Sequence, residues 1–340
     1  MSERIDYFDV LRGLAIIGVV TIHVSGSATQ VMHAASDHYL NIFWRNFWNF
    51  SVPLFIAISG YFLAKKTFSK NGDYLNFLSK QVPKVYWPFL FWSFICFLLA
   101  VATKAPVSSE LIKLLTFQSS GPYYFIALII QYYLLLPILK HLANLKGLIA
   151  SVAVSLAATY LIFHLRYISG IDLALIIYAG NFVTWLMFFI LGLYMGSANR
   201  MRVSNTVLLS ITAGFYLLSC LETGLLIEWF NQPQAAVTAI KPSSFIYSFA
   251  LIAYLFKNIN IVHSQLIKKL GGISFGIYLI HMLALGIESR ISHKLLPAWV
   301  EGSFLYQIML TGLVILTCAF AISLLNKLLS DRQSKLIGFK

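Results

Sequence analysis

The sequence predicts an all-α polytopic membrane helix bundle of about ten transmembrane helices, with both termini cytoplasmic. Three observations predict it. Apolar residues make up 59% of the 340 positions and charged residues only 11%, against about 25% charged in a soluble domain. With mean hydropathy at +0.78, lipid must solvate part of the surface. Apolar stretches recur near the roughly 20 residues that a helix needs to cross a bilayer. Basic residues alternate between the intervening loops, 18 of the 25 Lys and Arg falling on one side. The side richer in Lys and Arg is the cytoplasmic one.

The stretches run approximately over 8–27, 46–64, 85–103, 121–139, 146–164, 178–197, 205–226, 243–257, 271–289 and 304–326. The first carries Asp9, Arg12 and His23. The second opens on Ser51-Val52-Pro53-Leu54-Phe55 and continues to Ser59-Gly60-Tyr61. Its Pro53 and Gly60 loosen the helix and let a neighbour approach closely. A basic loop, Lys65 to Lys84, precedes the third. The sixth has an alternative start nearer Leu173, and the eighth is short. The seventh brings Glu222 toward its outer end, and the ninth holds His281 near mid-depth. No repeat or soluble segment interrupts the series, so residues 1–340 are expected to form a single membrane-embedded domain.

Loop charges on the cytoplasmic side include Arg4, Arg12, Lys70, Lys80, Lys84, Arg200 and Lys268. The outer set is Arg45, Lys104, Lys113, Arg166, Lys241, Arg290 and Lys294. A formal charge of +13 dispersed in this way serves orientation, so no nucleic-acid partner is expected. Residues 1–28 have the outline of a signal peptide, but more membrane follows rather than a secreted domain. Cys96, Cys220 and Cys318 all sit in apolar runs without a CxxC pair. Neither a metal site nor a disulfide framework is expected. No Walker loop, GxGxxG, HExxH or GxSxG is present.

Arg12 and His23 are eleven positions apart. At about 100° and 1.5 Å per residue they share one helix face and stand about 16 Å apart along the axis. Ionisable groups at membrane depth face cavities or partners. His23 reads either as a structural hydrogen-bonding residue or as a general base toward a hydroxyl. Arg12 on the same face favours the second reading, and Asp9 is placed to pair with it at i,i+3. Ser274, Tyr278 and His281 share a face of the ninth span. Two histidines inside the membrane point to a shared polar cavity. Glu222 either orients a histidine, binds a sugar hydroxyl or makes a structural hydrogen bond. Lys80 and Lys84 either mark orientation or help to hold an anionic donor.

These residues resemble the acyltransferase 3 family of integral membrane acyltransferases. The resemblance rests on Arg12 and His23 separated by ten residues, with Asp9 and Gly13 in pattern. Val52-Pro53-Leu54-Phe55 with Ser59-Gly60-Tyr61, Tyr124 to Leu128 with Tyr132, Leu136 and Pro137, and Ser274 to His281 supply three more blocks in order. One departure stands out: where the family carries two arginines before its third span, this chain has Gln81 and Lys84, with Lys80 beside them. Lysine lacks the bidentate fork with which arginine binds phosphate.

The resemblance implies transfer of an acyl group, most often acetyl, from acetyl coenzyme A to a hydroxyl of a surface glycan, glycolipid or lipid-linked precursor. It implies the cytoplasmic membrane of a bacterium. Arg12, with Lys80 and Lys84, would hold the donor, and His23 would act as base or as a transient acyl-imidazole. His281, Tyr278, Ser274 and Glu222 would orient groups or bind substrate. A transporter or flippase of a glycan or its precursor is the alternative that composition alone leaves open.

Overall fold

The computed structural model describes residues 6–28, 37–68, 71–197, 199, 201–230, 233–259, 261–295 and 304–340. Arg4, Lys70 and Arg200, part of the loop-charge pattern, lie outside them. The described residues are overwhelmingly helical and contain no strand.

Helix α1 spans Asp6–Ala28, with Asp6 and Asp9 in its first turn, where a helix N-terminus favours carboxylates. Helix α2, His38–Phe47, is followed by a single 3-10 turn at Trp48–Phe50 and by α3, Ser51–Leu63. Helix α4 runs unbroken from Asn71 to Ala102 through Pro83 and Pro88. The basic stretch expected as a loop is therefore helical from Asn71 onward, and Lys80 and Lys84 ride on an extension of the third span. Helices α5, Val107–Leu115, α6, Tyr124–Leu139, and α7, Leu145–Phe163, follow. Then come α8, Leu175–Tyr178, α9, Leu186–Gly196, and α10, Asn205–Glu228. The chain continues through α11, Pro233–Val237, α12, Pro242–Lys257, and α13, Gln265–Gly272. Helices α14, Ser274–Leu295, α15, Phe304–Leu328, and α16, Asp331–Leu336, complete it.

Nine of the ten predicted stretches are helical through most of their length, the sixth only from Leu186 onward, and they are not equivalent. Among the described residues, seven helical segments are long and apolar enough to cross a membrane, and α13 with α14, bent by 81°, would make an eighth. The other two predicted spans are α3 and α9, only 13 and 11 residues long. Every residue of α9 except Met195 is buried. The two pack backbone to backbone. A Cβ on Gly192 would stand 2.0 Å from the Ala57 carbonyl oxygen, and one on Gly60 2.3 Å from that of Phe189. Their all-round apolarity reflects burial in protein.

Helix α1 is the inner strut of the bundle. Gly13 lets it approach α13, because a Cβ there would lie 2.0 Å from the Ile267 oxygen. Gly271 returns the fit, its Cβ falling 1.8 Å from the Asp9 oxygen. Phe8, Leu11, Ala15 and Ile16 are completely buried on this helix. Both ends of the chain reach the same end of the bundle. Asp6 of α1 pairs with Lys268 of α13 at 2.5 Å. The Trp92 indole N–H donates to the Ile337 carbonyl at 2.9 Å, and Phe339 stacks on Trp92. The Lys340 ammonium on exposed Asp331 holds that carboxyl below its ordinary range. This is the end that the loop charges lead one to expect in the cytoplasm.

A histidine pair between two cavities

His23 is nearly five turns into α1, and His281 lies about two turns into α14. The bundle brings their rings to a centroid separation of 5.2 Å, inclined by 47°. His281 is fully buried. Its Nδ1 lies 2.7 Å from the Tyr278 carbonyl and 3.3 Å from that of Ile277. Carbonyls only accept, so Nδ1 carries the proton and Nε2 is the lone-pair nitrogen. That Nε2 is buried without a partner among the described residues.

Tyr278 forms the wall beside the pair. Its hydroxyl donates to the Pro122 carbonyl, and its ring packs near Phe125, Tyr123 and His281. Tyr123 donates to the Leu279 carbonyl at 2.7 Å. Two tyrosines from different helices therefore pin α14 against the start of α6. Ser274 donates to the Gly271 carbonyl at 2.8 Å, across the bend between α13 and α14.

One slot joins half of the expected residues. Arg12, His23, Ser274 and Tyr278 line the same cavity, of about 170 Å³, with Val19, Val52, Phe55 and Phe125 as its apolar walls. It is narrower than the about 300–1,000 Å³ pockets that enclose whole drug-sized ligands. Arg12 stands at the end nearer the chain termini. Its Nη1 donates to Asp9 Oδ1 at 2.9 Å, and its guanidinium lies 5.0 Å from the Phe62 ring centroid.

A second cavity, of about 250 Å³, adjoins the first at His23. It shares His23, Val19, Val52 and Tyr124 with the first and continues to Arg45, Gly121, Tyr178, Trp185 and Thr238. His23 is therefore a common wall of two spaces, one leading toward Arg12 and one toward Arg45.

Lys80 and Lys84 do not line either cavity; both are exposed on α4, and Lys84 reaches only Gln81, at 3.5 Å. Glu222 lies apart as well, on α10, where it accepts a hydrogen bond from Ser243.

Arg45 and Lys241 had been legible only as outer loop charges, yet both are buried. Lys241 Nζ donates to Thr223 Oγ1 at 2.7 Å, and reaches Asn46 Oδ1 and the Ala236 and Ser219 carbonyls at 3.3–3.4 Å. Asn46 also accepts from Ser219 at 2.9 Å, while Tyr247 donates to the Asn46 carbonyl at 2.7 Å. An unsatisfied buried ion costs several kcal/mol, which explains why so many neutral acceptors converge here. The available signal was positional: two cations flanking apolar spans on the side where positive charge is disfavoured, with Asn46 and Asn49 next to one of them.

No group of three or more His, Cys, Asp or Glu among the described residues is arranged to hold a metal ion. Comparison with known proteins adds the family. The model of the acyltransferase 3 family, described as an acyltransferase domain, matches residues 5–325. Neither the curated proteins nor the solved structures contain a match.

Proposed function

The chain belongs to the acyltransferase 3 family, and from that premise we propose that it moves an acetyl group from acetyl coenzyme A to a hydroxyl of a surface glycan, glycolipid or lipid-linked precursor. It is an integral, multi-pass membrane acyltransferase; the proposal adds donor, acceptor and a bacterial cytoplasmic membrane. The observation that carries the mechanism is the position of His23 as the shared wall of two cavities.

In this reading the thioester arm enters the slot from the Arg12 end, where the guanidinium attracts the donor's phosphates. The acceptor reaches His23 through the second cavity. The neutral imidazole takes the proton of the acceptor hydroxyl as its oxygen forms a bond to the thioester carbonyl carbon. When the carbon–sulfur bond breaks, the imidazolium returns the proton to the departing thiolate. An acyl-imidazole route reaches the same products in two steps: His23 attacks the thioester carbon, the carbon–sulfur bond breaks and the ring N–H proton leaves with the thiol, and the acceptor oxygen then displaces the imidazole, which takes the hydroxyl proton. His281, held in one tautomer by the Tyr278 carbonyl, is a positioning residue for the His23 ring. In this reading Glu222, Lys80 and Lys84, which line neither cavity, take no direct part at the reacting atoms.

A glycan transporter or flippase draws no support from the family. The test of the proposal is mass spectrometry of surface glycans from cells with and without the gene. Acetyl groups present only with the gene support it; identical glycans in both contradict it.

A further inference from the structure

The second cavity contains a cation for which the His23 chemistry has no use. Arg45 is 7% exposed and lines this cavity together with His23. Its Nη1 donates to Asn49 Oδ1 at 3.1 Å and its Nη2 to the Val237 carbonyl at 2.7 Å. Both partners are neutral, and Nε has no partner among the described residues. No described carboxylate lies within ion-pair distance of Arg45 or of the neighbouring buried Lys241. Glu222 accepts a hydrogen bond from Ser243 and makes no ion pair with Arg45. Guanidinium remains charged in proteins and has five donors in a planar fork that matches carboxylate and phosphate oxygens. Lys241 is near enough to Glu222 to feel its charge, whereas Arg45 stands in a low-dielectric region with neutral acceptors alone and borders a cavity.

We propose that this cavity binds an oxyanion carried by the acceptor, a carboxylate or phosphate on the sugar or its linkage, with Arg45 as the binding residue. The acceptor hydroxyl then lies at His23 and its anionic group at Arg45, within one space. Arg12, at the opposite end of the adjoining slot, serves the donor. A neutral sugar leaves Arg45 uncompensated and binds less well, so the cavity selects charged acceptors. The inference rests on the acyl-transfer reading for its assignment of the occupant as acceptor.

Trp185 lines the same cavity, which provides a readout independent of turnover. Full-length protein in lipid nanodiscs is titrated with glucuronate, glucose 1-phosphate and neutral methyl glucoside while tryptophan fluorescence is followed. At least one charged sugar is expected to bind about tenfold or more tighter than methyl glucoside, as loss of a charge-assisted hydrogen bond implies. Preference for glucuronate identifies a carboxylate source, and preference for glucose 1-phosphate a phosphate source. Arg45→Gln is expected to remove the preference, and Arg45→Lys to restore part of it. Equal binding of charged and neutral sugars by the unaltered protein overturns the proposal, and that comparison requires no variant to fold. Transfer of labelled acetyl from acetyl coenzyme A is measured separately. Charge-selective binding without any transfer supports the anion site and removes the acyl-transfer reading; transfer with charge-blind binding does the reverse.

Discussion

The imidazole rings of His23 and His281 lie 5.2 Å apart, centroid to centroid, although 258 positions separate them in the chain. Only one is fixed by hydrogen bonds to its own helix: His281, through Nδ1. His23 instead opens on two cavities. The pair thus divides into a ring held by its own helix and a ring that faces open space, the one to which the proposal gives the proton transfer. Replacing His281 with alanine should lower kcat about tenfold to a hundredfold while leaving the donor KM within about twofold, the pattern of a lost transition-state interaction. Steady-state kinetics on membranes with matched protein levels check this. A rise in KM alone would assign His281 to donor binding instead.

Arg12 is the basic residue of the slot, whereas Lys80 and Lys84 are exposed on α4. Arg12→Ala should raise the donor KM by about tenfold or more, the range for a charge-assisted hydrogen bond. The double variant Lys80→Ala, Lys84→Ala should change it by less than about threefold. Any effect of the lysines should fade at high salt, because exposed charges act through screened attraction. Donor titrations at low and high ionic strength separate the two cases.

The close approach of α1 and α13 leaves no room for a side chain at Gly271, where a Cβ would meet the Asp9 carbonyl at 1.8 Å. Gly271→Ala must push the helices apart, at a cost of about 1–3 kcal/mol, and disturb the turn that carries Asp9 and Arg12. Gly214 on α10 has nothing within 4 Å of its Cβ position. Gly214→Ala should therefore be neutral or stabilising by up to about 1 kcal/mol through helix propensity. Thermal unfolding in detergent, with the two variants side by side, tests whether close packing rather than glycine content matters here.

The first helix was legible almost completely. Apolar length set its extent, and the 100° advance per residue placed Arg12 and His23 on one face, where the structure shows them lining one slot. The face shared by Ser274, Tyr278 and His281 was legible for the same reason. Juxtapositions were not, because sequence contains no signal for which helices meet; the 5.2 Å approach of two histidines arises only from packing. Helices α3 and α9 looked like ordinary spans because burial in protein and exposure to lipid select the same apolar residues. Arg45 and Lys241 were hidden by the charge count itself, which treats any cation between two spans as a solvated loop residue. Lys80 and Lys84 fell on a helix because α4 begins at Asn71, well before its apolar run.

The central claim is that His23 performs the proton transfer at the junction of the two cavities. The most direct measurement follows labelled acetyl from acetyl coenzyme A into acceptor glycan, in membranes carrying either the unaltered protein or His23→Ala at equal folded abundance. Loss of general-base catalysis predicts a fall of about 10²–10⁴-fold in transfer rate. Transfer at the unaltered rate in the folded His23→Ala protein would contradict the account.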